Sequence, residues 1–228
     1  MEAMSNDSRK HGKRRLPVLA GLYKQYLTDE GLAVFIRGIT QLYTCGTLQR
    51  LSFHADVEIR RAAIVALGFV GQYDANHAMG RAMTDDDRIV RLLAQNGIRS
   101  VWNRDGNQQQ RQQLANLVRM NAAGRFRDAV ASATGLIQEA PGIAEAWYQR
   151  GVGLYQLGDY SGTLRDCHQA LELNPYHFVA AAMMGDAYLQ LGDHAAALEA
   201  FRRAQRVNPD RDRVNEQIAR LARQLEGK

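Results

Sequence analysis

Apolar side chains recur along this 228-residue chain at the spacing of a helix rather than that of a strand. In the segment 212–228, Val214, Ile218 and Leu221 fall on one side and charged residues on the other, which predicts an amphipathic helix. Runs of alternating β-branched residues, which would favour strands, are missing, whereas alanine and leucine are abundant. The pattern therefore predicts an all-α protein.

Two long amphipathic segments of similar sequence lie in the first half of the chain. DVEIRRAAIVALGFVG begins at Asp56 and DRIVRLLAQNGIRSVW begins at Asp87, 31 residues later. Each starts with an acidic residue, which favours a helix N-terminus because of the helix dipole. A shorter helix is predicted between them at DANHAMGRAMT. Three further helices are predicted upstream, at LPVLAGLYKQYLT, GLAVFIRGITQLY and GTLQRLSFH.

Two kinds of residue recur every 34 positions in the second half of the chain. They are the glycines Gly124, Gly158 and Gly192 and the prolines Pro141, Pro175 and Pro209. A glycine tolerates the left-handed conformation that ends many helices, and a proline stops the helix that precedes it. Each unit is therefore predicted to be a pair of helices. Such a pair cannot bury its apolar face alone, so neighbouring units must stack.

These units resemble tetratricopeptide repeats. Residues 144–177 carry AEAWYQRGVGLYQLGDY and ALELNP, residues 178–211 keep Gly185 and Phe201, and residues 110–143 are a weaker match. The 31-residue pattern of the first half resembles short HEAT-type repeats, of the kind also found in phycobilin-lyase-like proteins. The two resemblances imply a right-handed α-solenoid. Its expected parts are a disordered basic tail at 1–15, HEAT-like repeats at 16–109, three tetratricopeptide repeats at 110–143, 144–177 and 178–211, and a capping helix at 212–228.

Charge and cysteine content narrow the classes of protein. The net charge is +5, but residues 1–15 carry +3 of it, so the rest of the chain is nearly neutral. We therefore do not expect nucleic acid as the main partner. Cys45 and Cys167 lie far apart with no disulfide pattern, and the N-terminus lacks the apolar segment of a secretory signal. Without a run of about 18 apolar residues we expect no membrane span, and we predict a cytoplasmic protein.

Residue clusters that could carry chemistry have simpler explanations. His168 follows Cys167, but neighbours on a helix point about 100° apart and do not face each other. The run Asp85–Asp87 fits a helix N-terminus better than a cation site. The histidines form no metal-binding motif. We predict no catalytic residues, no metal and no cofactor, and therefore no enzyme.

The tetratricopeptide resemblance implies a concave groove lined by the first helix of each unit. The candidate groove residues are Arg111, Asn121, Tyr148, Gln149, Val152, Gln156, Met183, Asp186, Gln190, Arg220 and Arg223. Some family members hold a peptide's terminal carboxylate with lysine and asparagine. Those positions here hold Leu114, Val118, Tyr148, Val152, Ala182 and Asp186. The carboxylate clamp is therefore absent.

The resulting hypothesis is a non-catalytic scaffold that binds a peptide or a protein domain in this groove. Two alternatives remain open. One is a HEAT-type lyase or cofactor-handling protein, for which His54, His77, Cys45 and the Asp85–Asp87 run are candidates. The other is a nucleic-acid adaptor that uses the basic tail. The sequence leaves the partner's identity and the oligomeric state open.

Overall fold

The computed structural model describes residues 18–29 and 31–227, and all regular structure in these residues is helical. The predicted tail at 1–15 lies outside the described residues. The helices are α1 Val18–Asp29, α2 Leu32–Leu42, α3 Cys45–Leu51, α4 Val57–Val70, α5 Asn76–Ala82, α6 Arg88–Trp102, α7 Gln108–Ala122, α8 Phe126–Glu139, α9 Ala144–Gln156, α10 Tyr160–Leu173, α11 Phe178–Gln190, α12 His194–Val207 and α13 Asp212–Glu226. A 3-10 turn, Tyr73–Ala75, precedes α5. The molecule is an all-α helical repeat.

Helix ends in the second half follow the 34-residue pattern of the sequence. Gly124, Gly158 and Gly192 end α7, α9 and α11 with φ of 73°, 83° and 78°, a backbone conformation that favours glycine. Asp159 and Asp193 then begin α10 and α12 by accepting backbone N–H groups with their side chains. The alternation of glycine stop and aspartate start sets the turns of α9/α10 and α11/α12, whereas Arg125 begins α8 without a side-chain cap.

In the first half, α4 and α6 pack directly against each other. Gly68 of α4 faces Gly97 of α6, and a Cβ atom built on Gly97 would lie only 3.0 Å from the Cα of Gly68. The absence of side chains at this crossing lets the two backbones approach closely. The core around them includes Phe35, Met79 and Trp102, all nearly fully buried.

Equivalent arginines connect consecutive elements of this half. Arg60 donates to the backbone carbonyls just before α4, and its guanidinium binds the Asp85 carboxylate at 2.8 and 2.9 Å. Arg91, 31 residues later, donates to the carbonyls just before α6 and binds Asp210 at 2.7 and 3.2 Å. Asp210 comes from the end of the second half, so the same contact links the two halves.

The second half packs as helix pairs α7/α8, α9/α10 and α11/α12, with α13 against α12. Small residues at equivalent positions of the second helices, Ala129, Thr163 and Ala197, are fully buried. The predicted boundary between residues 109 and 110 falls inside α7, which begins at Gln108. Among the described residues, no helix has the length and apolar character needed to cross a membrane.

Candidate peptide-binding groove

Predicted groove residues from neighbouring units contact each other across the first helices. Asn121 of α7 donates to the side-chain oxygen of Gln149 on α9 at 2.8 Å. Asp186 of α11 accepts from Arg213 at the start of α13 at 2.9 and 3.0 Å. Because these contacts join successive first helices, they place the residues on one surface, which we call the candidate groove.

The first half of the chain covers one end of this candidate groove. Trp102, the last residue of α6, stacks on the ring of His177 with 4.4 Å between ring centroids and 13° between planes. The His177 ring in turn lies 4.7 Å from that of Tyr148. Tyr148 is 9% exposed and Gln149 is 4% exposed. The expectation that these two residues are free to meet a peptide therefore differs from the structure, because side chains of the same molecule cover them.

The His177 ring, on which Trp102 stacks, belongs to a buried hydrogen-bond network. The backbone N–H of Ala180 donates to Nδ1 of His177, so the ring proton is on Nε2, which donates to Glu145 Oε2 at 3.1 Å. Gln149 donates to the other oxygen of Glu145 at 2.7 Å. Each of these side chains thus has a hydrogen-bond partner in the network, which stabilises the covered end in one arrangement. Glu145 holds the second position of its repeat, one of the positions that the tetratricopeptide resemblance assigns to the groove.

Further polar contacts join the covering segment to the repeats. The indole N–H of Trp102 donates to Asn76 at 2.8 Å, and Asn76 donates to Asn174 at 2.9 Å. The hydroxyl of Tyr176 lies 2.9 Å from Nδ1 of His77. Arg111, a predicted groove residue, contacts Gln72 of the first half at 3.2 Å. The junction is therefore formed by specific side-chain pairs as well as by apolar packing.

The other end of the candidate groove stays open. Val152 and Met183 are half-buried, whereas Gln156, Gln190, Arg220 and Arg223 are exposed. The Asp186 side chain is 20% exposed. Burial raises its pKa, and the positive charge of Arg213 opposes that shift. The predicted residues of this end thus combine half-buried apolar side chains with exposed amide and basic ones.

Three arginines lie beside the junction of the covered and open ends, and we call Arg99, Arg211 and Arg213 the arginine cluster. The guanidinium of Arg211 lies 5.1 Å from the centre of the Phe178 ring. Burial lowers the pKa of Arg211, and the charges of Arg213 and Arg99 lower it further. Within the described part of the chain, neither Arg99 nor Arg211 forms an ion pair. The cluster therefore carries more positive charge than its single paired carboxylate, Asp186, can balance.

Sequence reasoning missed Arg99 and Arg211. Arg211 is the last residue of its repeat, and His177 is its counterpart in the preceding repeat, so the repeat position gave no sign of a role. Arg99 lies on the exposed side of α6, more than 100 residues away in sequence. No local signal connects the two.

The residues considered for chemistry have structural roles. Cys167 is buried, and burial raises the pKa of its thiol, which disfavours the reactive thiolate. Asp87 accepts the backbone N–H of Val90 and begins α6, as predicted for a helix N-terminus. Across residues 18–29 and 31–227, no group of three or more histidine, cysteine or acidic side chains is arranged to hold a metal ion.

Comparison with known proteins identifies the family of part of the chain. Models of the tetratricopeptide repeat match residues 144–177 and 180–211. The predicted tetratricopeptide repeats at 144–211 are thereby confirmed. The match lies on α9 to α12, the elements that form most of the candidate groove.

Relatives and solved structures share parts of the chain. Tetratricopeptide repeat protein 37 of Xenopus laevis is 35% identical over 65 residues, which is 28% of this chain and 4% of that protein. Hsp70-Hsp90 organizing protein of Triticum aestivum is 29% identical over 98 residues, 43% of this chain and 17% of that protein. The chain thus spans less than a fifth of these curated relatives. Among solved structures, the chain is similar in fold to the first TPR of Spaghetti (RPAP3) bound to HSP90 peptide SRMEEVD. The match has a TM-score of 0.50 at 16% sequence identity and covers 53% of this chain and 96% of the RPAP3 chain. This likeness concerns the fold.

Proposed function

We propose that the protein is a non-catalytic interaction scaffold that binds an acidic peptide segment at the open end of the candidate groove. The observation that carries the proposal is the arginine cluster, in which the charges of Arg99 and Arg213 act on Arg211, and neither Arg99 nor Arg211 forms an ion pair within the described residues. A half-buried guanidinium is stabilised by a carboxylate that supplies both charge and paired hydrogen bonds. An acidic peptide would complete this arrangement.

The open end offers both apolar and polar side chains to a short peptide segment. Met183 and Val152 offer half-buried apolar contacts, and Gln156 and Gln190 offer exposed amides for a peptide backbone. The structure of similar fold is bound to a peptide, SRMEEVD, with three acidic residues. The lysine and asparagine clamp of some tetratricopeptide family members is not matched in this sequence, so the acidic groups would contact the arginine cluster and Arg220 instead. The partner is proposed only as a class, an acidic segment of another protein.

We infer that the first half is HEAT-like and acts as a wall of the groove. The 31-residue offset places Asp56 and Asp87 at equivalent helix starts and Arg60 and Arg91 in equivalent contacts. In this arrangement the first half blocks the groove at Tyr148 and contributes Arg99. A cytoplasmic location remains a prediction. A nucleic-acid role for the tail at 1–15 remains an alternative, and the tail lies outside the described residues.

Selection from a random library of short peptides with free C-termini tests the proposal. Protein immobilised on beads should retain peptides enriched in aspartate and glutamate, and less so as salt screens the charges. Arg99→Gln and Arg211→Gln should remove most of that enrichment, whereas Met183→Glu should reduce retention of all peptides. Arg88→Gln is the matched control, because Arg88 is an exposed arginine at the other end of α6.

Each arm can contradict the proposal. Retained peptides without acidic enrichment would reject an acidic partner. Equal enrichment by wild type and Arg99→Gln would remove the first half from the binding surface. If Arg88→Gln reduced the acidic enrichment as much as Arg99→Gln and Arg211→Gln do, the effect would be one of general charge rather than of a site.

A further inference from the structure

A cavity of about 380 Å³ lies in the first half, apart from the candidate groove. It is bounded by α1, α4 and α6, is open to solvent on one side, and is lined mainly by apolar and aromatic side chains, including Tyr26, Phe69 and Leu93. Its volume and composition match small-molecule sites, which combine apolar walls with a few polar groups. Neither the 31-residue nor the 34-residue repeat pattern predicts this cavity.

The glycine crossing described above forms part of the cavity wall. Gly68 and Gly97 both line the cavity, and neither places a side chain there. Tyr26 and Phe69 meet edge to face across it, with 6.0 Å between ring centroids. The cavity therefore exists because the two glycines leave space that the surrounding aromatic rings do not fill.

One end of the cavity carries a cation without a carboxylate partner. The guanidinium of Arg104 donates to the backbone carbonyls of Gly68 and Gly71, at the end of α4. Two of its five N–H groups are thereby used, and no carboxylate pairs with it in the described chain. Burial lowers the pKa of Arg104, as expected for a cation that lacks a counter-ion.

Polar groups flank this cation. Asn96 and Ser100, four residues apart on α6, are exposed at the cavity rim. Tyr23 lines the wall on α1, nearly buried, and burial raises the pKa of its hydroxyl. The polar groups are neutral donors and acceptors around one fixed positive charge, a combination that favours an anionic head group.

We propose that this cavity binds a small amphiphilic carboxylate, such as a medium-chain fatty acid. The hydrocarbon part would lie against Phe69, Leu93 and Tyr26, and the carboxylate would accept from Arg104. Charge complementarity selects this class over a neutral or cationic ligand, because the only formal charge among the lining groups is that of Arg104.

The proposal concerns binding, not catalysis, and is independent of the proposed peptide groove. Cys45, His54 and His77, the candidates for a lyase, do not line this cavity. His54 instead lines a separate polar depression with Asp85 and Asp86. The cavity therefore holds none of the nucleophiles that the lyase alternative invoked.

Isothermal titration of the full chain with decanoate, decanol and decylamine tests the class of ligand. Decanoate should bind saturably, about tenfold or more tighter than decanol, because a charge-assisted hydrogen bond distinguishes them. Decylamine should bind more weakly still. Equal affinities for decanoate and decanol, or no saturable decanoate binding, would overturn the proposal.

Variants locate the site. Ser100→Trp should fill the rim and abolish binding, whereas Ser161→Trp, at an exposed serine on α10, should bind like wild type. Arg104→Gln should bring decanoate affinity down to that of decanol, and Arg104→Lys should keep part of the preference. Wild-type binding by Ser100→Trp would place the ligand elsewhere and reject the cavity.

Arg104 also stabilises the end of α4, so a second variant is needed that keeps this side chain. Ser100→Glu introduces a carboxylate four residues before Arg104 without removing it. Decanoate binding should fall about tenfold in Ser100→Glu and stay near wild type in Ser100→Gln. Equal binding by these two variants would reject a role for Arg104.

Discussion

The two halves of this molecule achieve an all-α fold by different means. In the second half, residues that recur every 34 positions end α7, α9 and α11 at a glycine and begin α10 and α12 at an aspartate, as at Gly158 and Asp159. In the first half, contacts between helices distant in sequence hold the structure, as at Gly68 and Gly97 or Arg60 and Asp85. The comparison teaches that a regular repeat can be interpreted locally, whereas the junction between the two halves depends on residues that no repeat specifies.

Replacing Trp102 by alanine tests this comparison most severely. Trp102 is 1% exposed, stacks on His177 and donates to Asn76, so Trp102→Ala removes both packing and a hydrogen bond at the junction. We expect the free energy of unfolding to fall by about 3–5 kcal/mol. Urea unfolding followed by circular dichroism measures the loss, and Trp147 remains as a fluorescent reporter of the second half.

Trp102→Phe is the control for this change. A phenyl ring keeps much of the stacking and loses the hydrogen bond to Asn76, so its effect should be smaller. If Trp102→Ala shifted the free energy of unfolding by less than about 0.5 kcal/mol, the junction would not be the stabilising contact described here.

A smaller effect distinguishes two equivalent positions within the second half. A Cβ atom on Gly185 would lie 2.6 Å from the Phe201 ring, whereas one on Gly151 would lie 3.4 Å from the sulfur of Cys167. Gly185→Ala should therefore destabilise by about 1–3 kcal/mol through overpacking. Gly151→Ala should be close to neutral, or stabilising by up to about 1 kcal/mol, because alanine favours a helix.

Thermal unfolding of the two alanine variants measures this difference. Gly185→Ala combined with Phe201→Leu should recover part of the loss, because the smaller side chain leaves room for the methyl group. Equal effects of Gly151→Ala and Gly185→Ala would show that the repeat position, and not the facing side chain, decides tolerance.

The smallest expected effect is acid sensitivity in the first half. The hydrogen bond from Arg61 lowers the pKa of Asp87 from 3.8 to about 2. A carboxyl with a lowered folded-state pKa stabilises the fold above its ordinary pKa, and this stability is lost as pH falls from about 4 towards 2. For a partly exposed pair we expect a contribution of up to about 1 kcal/mol at neutral pH.

Urea midpoints between pH 5 and 2 in wild type and Arg61→Gln measure this contribution, with pH steps chosen around the ordinary carboxyl pKa. In Arg61→Gln the urea midpoint should fall less steeply as the pH is lowered, because the hydrogen bond that lowers the pKa of Asp87 is gone. Asp87→Asn should show the same shallower decline. Parallel curves for wild type and Arg61→Gln would contradict the assignment.

Much of the fold followed from the sequence, and less of the candidate site. Helix starts at Asp56 and Asp87 and the glycine stops could be predicted because each depends on a few neighbouring residues. The burial of Tyr148 and Gln149 could not be predicted, because the family resemblance places them on a groove without showing what covers it. Arg99 and Arg104 were missed for the same reason, since their roles come from helices that meet only in the folded chain.

The helical class, the 34-residue period and the tetratricopeptide repeats at 144–211 can be predicted without coordinates, because local backbone preferences and side-chain spacing set helix ends and buried faces. Long-range packing in the folded chain leaves one part of the candidate groove covered. It seated Trp102 on His177, aligned Arg91 with Asp210 across 119 residues of chain, and left a cavity where Gly68 meets Gly97. Such contacts depend on how helices far apart in sequence approach each other, and no short-range pattern encodes that distance.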